Sequence, residues 1–286
     1  MSGLALALIF AAAFVHASWN YLLKRSGGGT AFVWLFAVTS AVIYAPLAAV
    51  VLWWTQPALT AMSFVLMAAS AVIHTAYFML LDRGYRTGDL SLVYPLARGS
   101  APLVTVTVAV LLLGEQPSSI AIAGALLIAA GAVVLTGNFR SLRESGSLAA
   151  VVFALLTGCM IASYTVVDKL AVAAFFVPPL VQDWATNLGR VAITTPLALR
   201  QRQELRAVWQ RCRREVIAVA VLCPLSYILV LTAMVFTPVS YVAPAREISI
   251  LIGALFGAHL LAEEHATRRL FGAAAMVGGI VCLAVG

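Results

Sequence analysis

Charge is scarce in this sequence. Only 10% of its 286 residues are Asp, Glu, Lys or Arg, and 63% are hydrophobic; ordinary soluble domains carry about 25% charge. A soluble fold of this composition lacks the polar coat to cover its core. Mean hydropathy of +1.00 points the same way. Lipid is therefore the expected solvent. Lysine is nearly absent: Lys24 and Lys169 stand among 18 basic residues, an arginine bias in keeping with a GC-rich bacterial source.

Cysteine is sparse too. Cys159, Cys212, Cys223 and Cys282 lie far apart and form no C-x-x-C. That excludes a disulfide framework and a zinc site, so neither metal nor cofactor is expected. No Gly-x-x-x-x-Gly-Lys-Ser/Thr occurs, which rules out ATP hydrolysis by this chain as a motor. His-Glu-x-x-His and Gly-x-Ser-x-Gly are also missing, and His259 to His265 hold two glutamates at the wrong spacing. The chain is accordingly read as a non-enzyme. Its formal net charge is +7. The basic residues sit mostly between apolar runs, where they report topology and meet anionic lipid headgroups; no nucleic-acid partner is expected. Residues 3–23 lack a basic leader and are read as a span, not a cleaved signal.

Long apolar runs are what the sequence does have. Ten stretches near 20 residues appear: 3–23, 31–54, 61–81, 90–113, 118–137, 147–167, 177–199, 215–236, 239–261 and 269–286. Helix is required, because backbone in lipid must bond to itself. The connections are short, the longest running from Arg200 to Arg214 with six arginines.

The chain also repeats itself. Ala17-Ser18-Trp19-Asn20 aligns with Ala162-Ser163-Tyr164-Thr165, and Tyr77 with Tyr227. Tyr94-Pro95 aligns with Ala243-Pro244, Gly114-Glu115 with Glu263-Glu264, and Gly124 and Gly131 with Gly272 and Gly279. The expected fold is all-α integral membrane, with ten transmembrane helices as two five-helix repeats, residues 1–137 and 147–286, joined by 138–146. Five helices per copy is an odd number, so the copies insert with inverted topology. The odd-numbered connections carry Lys24, Arg25, Arg83, Arg86, Arg140, Arg143, the six arginines and Arg268-Arg269; the other face carries Lys169. Basic loops stay inside, so both termini are expected outside a bacterial cytoplasmic membrane.

His16-Ala-Ser-Trp19-Asn20, Gly88 through Tyr94-Pro95 to Arg98-Gly99, and Leu112-Leu-Gly-Glu115 followed by Gly124 and Gly131 resemble the EamA-like family of the drug/metabolite transporter superfamily. The Gly88–Gly99 stretch is similar to a phosphonate-utilisation-associated subgroup. The resemblance implies a ten-helix secondary transporter of small organic solutes. It also implies cytoplasmic termini, opposite to the charge count, which is followed here.

Ionisable residues inside spans are expensive and face a bundle interior or water. Arg98 follows Pro95 in the fourth span, and Arg246 and Glu247 follow Pro244 in the ninth. Each proline removes a helix hydrogen bond, and paired interrupted helices point to a central site. Tyr94 shares a face with Arg98. Asp183, Asn187 and Arg190 lie on one face of the seventh span, as an ion pair or as solute contacts. Trp19 and Asn20 with His16, His74 with Tyr77, and Tyr227 add aromatic and polar walls suited to an ammonium group. Arg98, Arg190 and Arg246 outnumber Asp183 and Glu247, which favours a zwitterion or anion such as an amino acid or aminophosphonate. Glu247, Asp183 and His16 are candidates to carry a coupling proton. The alternatives are a flippase for lipid or a lipid-linked solute, or a non-transporting membrane subunit. Gly253-x-x-x-Gly257 and Gly278-Gly279 allow close helix contact, inside a monomer or at a homodimer seam.

Overall fold

The structure, a computed structural model, describes residues 1–27, 29–87, 90–136, 148–253 and 266–286. Within them the chain is helical throughout: α1 (Gly3–Arg25), α2 (Thr30–Thr55), α3 (Ala61–Thr87), α4 (Leu90–Leu113), α5 (Ser119–Thr136), α6 (Leu148–Ala173), α7 (Pro179–Leu199), α8 (Arg202–Phe236), α9 (Val239–Ala245) and α10 (Ala266–Val285). The 138–146 connection, Gly257 and Glu263-Glu264 lie outside the described residues.

Six of these helices are long and apolar enough to cross a membrane: α1, α2, α3, α4, α6 and α8. The chain is thus a multi-pass membrane protein. The remaining helices fall short for physical reasons. The apolar parts of α5 and α10, Ser119–Leu135 and Leu270–Val285, are short. In α7, Gln182, Asp183, Asn187 and Arg190 dilute the hydropathy, and α9 stops at Ala245.

The Arg200–Arg214 connection, expected as a loop, is helical from Arg202, with a kink at Cys212. Its arginines are exposed while Leu205, Val208 and Cys212 pack against Phe32 and Phe36 of α2. This amphipathic turn suits a headgroup layer, where guanidiniums stay wet and the apolar side is buried. The sixth span is longer than expected, which draws Asp168 and Lys169 into α6. Lys169 therefore leaves the loop count: its Nζ donates to the carbonyls of Met234 (2.6 Å) and Thr237 (2.9 Å) at the end of α8.

Helices from the two halves interleave. α1 packs on α8, α3 on α6, α2 on α7 and α8, α4 on α6 and α9, and α5 on α10. The α5–α10 seam is the tightest. A Cβ on Gly124 would lie 2.6 Å from the Gly279 carbonyl, and one on Gly131 2.8 Å from that of Gly272. The two helices therefore run antiparallel with backbones in contact, the small-residue packing common in lipid. Gly278 and Gly253 have open space beside them among the described residues.

Glu115, in the bend after α4, accepts hydrogen bonds from the backbone N–H groups of Val239 (2.8 Å) and Ser240 (2.9 Å). These are orphan donors of α9, so a carboxylate from the first half caps a helix of the second.

Candidate functional site

The polar residues of the spans gather where the halves meet. Their placement begins with the break after α9. Pro244 offers no N–H, and the chain tightens to i→i+3 bonding: Glu247 N donates to Pro244 O, Ser249 N to Arg246 O and Ile250 N to Glu247 O. Helix resumes over 248–253. A 3₁₀ stretch inside a span is a common functional device. α4 shows no matching break; it runs unbroken from Leu90 to Leu113. The expected pair of interrupted helices is thus seen on one side.

Arg98 of α4 meets this break. Its Nε lies 3.0 Å from Glu247 Oε2, and Nη2 donates to Ser249 Oγ at 3.4 Å. The Nε–Oε2 contact is an ion pair without the alignment of a hydrogen bond. Arg98 is 7% exposed and Glu247 1%. Arg246 is also buried, and its Nε has no hydrogen-bond partner among the described residues. It sits within electrostatic reach of Arg98, Glu247, Tyr164 and Tyr227. Tyr94, one turn before Arg98, is half-buried within reach of Arg98 and Glu247.

A second group lies between α3, α6, α7 and α8. Asp168 is fully buried. Its Oδ1 accepts from Gln182 Nε2 (2.8 Å) and its Oδ2 from the Tyr227 hydroxyl (2.5 Å). His74 stacks on Tyr164 with ring centroids 3.8 Å apart, and Tyr227 stands edge-on to both at 5.8 and 6.2 Å. Tyr77 meets Tyr164 at 6.0 Å. His74 Nδ1 is held by the Ser70 carbonyl at 2.9 Å.

A third group lines α7. Asn187 Nδ2 donates to Ala37 O at 2.9 Å, and Arg190 Nη2 donates to Asn187 Oδ1. The Arg190 guanidinium lies over Phe36 and Phe78, 5.9 and 5.4 Å from the ring centroids, an arrangement that stabilises a desolvated cation. Asp183 lies within electrostatic range of Arg190 and Asp168, beyond the 4.0 Å of a salt bridge. The expected internal ion pair is therefore replaced by Asn187 and the two phenylalanines.

In α1, Trp19 Nε1 donates to Ser226 Oγ (3.3 Å), Asn20 bonds back to the His16 carbonyl (2.8 Å), and the His16 and Trp19 rings meet edge-on at 4.8 Å. His16 is within reach of Arg98 and Arg246. Asn20 spends its amide on its own helix, and Trp19 ties α1 to α8.

Sequence reasoning missed Asp168, Gln182 and Tyr164 as site residues. Asp168 lies one residue past the end of the expected sixth span, 147–167, and so fell outside the search for polar residues within spans. Its burial revises the charge balance: Arg98, Arg190 and Arg246 are matched by Asp168, Asp183 and Glu247. A groove of about 330 Å³ lies elsewhere; it is an apolar surface cleft between α2, α3 and α7 lined by Leu52, Met67 and Trp184.

Comparison with known proteins adds a family. Residues 148–285 match the EamA-like transporter family model. The second half of the chain is EamA-like. A solved crystal structure of a protein aligns with TM-score 0.75 and 16% identity, covering 98% of this chain and 98% of that one; at that identity the likeness is one of fold. No curated protein matches. The matched family is described as one of transporters.

Proposed function

We propose that this chain is a secondary-active transporter moving a small zwitterionic metabolite, such as an amino acid or aminophosphonate, across a bacterial cytoplasmic membrane by alternating access. The observation that carries the reading is the matched set of buried charges between the halves. Arg98, Arg246, Asp168 and Glu247 are buried and Arg190 and Asp183 half-buried; ionisable groups inside spans are costly and mark a solute path. A balanced site favours a zwitterion over a simple anion, which the sequence-based count left equal.

The architecture proposed is ten spans in two inverted five-helix repeats, 1–137 and 147–286. Swapping repeat mates turns the α1–α8 contact into α6–α3 and the α2–α8 contact into α7–α3, and both members of each pair are present. The α5–α10 seam maps onto itself, with Gly124–Gly279 becoming Gly272–Gly131. Mates that run antiparallel support a two-fold axis in the membrane plane, the frame in which one repeat rocks against the other. Among the coupling candidates, Glu247 is held by Arg98 and His16 lies beside two arginines; Asp183, with no salt-bridge partner among the described residues, is the favoured proton carrier.

Purified protein in proteoliposomes loaded with unlabelled amino acids is expected to take up radiolabelled mixed amino acids or 2-aminoethylphosphonate by counterflow. Uptake confined to organic cations would overturn the zwitterion assignment. The exposed arginines of α8 support cytoplasmic odd-numbered connections and external termini. A C-terminal epitope on whole spheroplasts should bind antibody without permeabilisation; binding only after permeabilisation would reverse the orientation.

A further inference from the structure

We infer that Asp168, walled by His74, Tyr164 and Tyr227, receives the ammonium pole of the solute while Arg246 faces its acid pole. The assignment rests on the transporter reading and adds which residue reads which charge.

Asp168 has no exposed surface, and its oxygens are held by neutral donors, Gln182, Tyr227 and Ser70. Among the described residues no cation lies within salt-bridge distance of it. Lys169, its neighbour in sequence, is drawn the other way and donates hydrogen bonds to carbonyls at the end of α8 instead. A carboxylate in such a place carries a large desolvation cost until a cation reaches it.

The surroundings fit an ammonium group. Aromatic faces attract desolvated cations, and three helices each bring a ring to this spot: His74 from α3, Tyr164 from α6 and Tyr227 from α8. Tyr77 backs Tyr164. The other polar groups facing Asp168 are Ser70 from α3, Gln182 and Asp183 from α7, and Arg246 at the break after α9.

Arg246 supplies the opposite pole. It is 8% exposed, its Nε is without a partner among the described residues, and it lies within electrostatic reach of Asp168 and of both tyrosines. Arg98, by contrast, already holds Glu247. Of the two buried arginines, Arg246 is the one with electrostatic reach to Asp168 and no salt-bridge partner among the described residues. A planar guanidinium binds carboxylate or phosphonate equally by its paired N–H donors.

The test is a selectivity measurement, which a merely structural role would not move. Counterflow of radiolabelled mixed amino acids is competed with the unlabelled amino acids, with the matching deaminated acids, and with the matching decarboxylated amines. Wild type should prefer amino acids over deaminated acids by about tenfold or more, because losing the ammonium leaves Asp168 unpaired. Asp168→Asn should bring that ratio to within about twofold, and Asp168→Glu should keep it. Arg246→Gln should let the amines compete, which also decides the matter if Asp168→Asn fails to fold. Wild-type ratios retained in Asp168→Asn, or an unchanged ranking in Arg246→Gln, overturn the assignment. Wild type that exchanges amino acids yet ignores loss of the ammonium also sinks it, while leaving the transporter reading intact. Absence of any counterflow in wild type removes both.

Discussion

Arg98→Ala is expected to abolish counterflow and to lower stability by about 3–5 kcal/mol, the usual cost of stranding one member of a buried ion pair. The member left behind is Glu247, which is 1% exposed and has Arg98 3.0 Å away as its salt-bridge partner among the described residues. Ser249 loses a donor at the same time. The stability loss belongs to Glu247's isolation, so Arg98→Ala with Glu247→Ala should recover much of it. Transport should not return, because the guanidinium that sets the charge of the site is still missing. Thermal unfolding in detergent and counterflow in proteoliposomes separate the two effects. A single variant as stable and as active as wild type would remove Arg98 from the site.

Gly124→Val should weaken the bundle almost as much by a different route. The added Cβ falls 2.6 Å from the Gly279 carbonyl and 2.9 Å from Cys282 Cβ. The first of these is backbone and has nowhere to turn, so α5 and α10 must separate. Overpacking of this kind costs about 1–3 kcal/mol, and more where backbone resists. Gly279→Ala attacks the same contact from the other side, so the two substitutions should add to less than their sum. Gly278→Ala, one residue away with open space beside it, should leave the melting temperature unchanged. Equal shifts in Gly278→Ala and Gly279→Ala would show that the seam does not depend on close approach.

Much of this architecture was legible because lipid simplifies the problem. Apolar runs of fixed length must be helices, and α1, α2, α4 and α5 fall within two residues of the stretches read from composition, while α3 runs six residues past its expected end, to Thr87. The inward arginines were legible for the same reason: an arginine beside a proline in the middle of an apolar run has few places to go. The reading failed where charge was taken as an end marker. Asp168 and Lys169 lie just past the expected sixth span, yet α6 continues to Ala173 and buries the aspartate. One turn of helix decides whether that pair is solvent or site, and hydropathy has no such resolution.

The six arginines between Arg200 and Arg214 misled in the opposite sense. They read as a loop because they are charged, although Leu205, Val208 and Cys212 recur at helical spacing beneath them. Tyr164 was visible as the repeat mate of Trp19 but not as a wall of the site. Its role follows from the stack with His74, a residue 90 positions earlier on another helix, and no local pattern carries that information. The missing break in α4 is a similar case: Pro95 and Pro244 look alike in sequence, but only the second ends its helix.

The central claim is that the buried charges between the halves line a path that solute occupies. Ser249 reports on it directly, being 4% exposed and in contact with Arg98. Ser249→Cys, in a chain whose four native cysteines are replaced, should react with a small membrane-impermeant thiol reagent, and transported amino acids should slow that reaction. If the thiol introduced by Ser249→Cys never reacts in folded, membrane-embedded protein, or reacts at the same rate with and without amino acids, the account is contradicted.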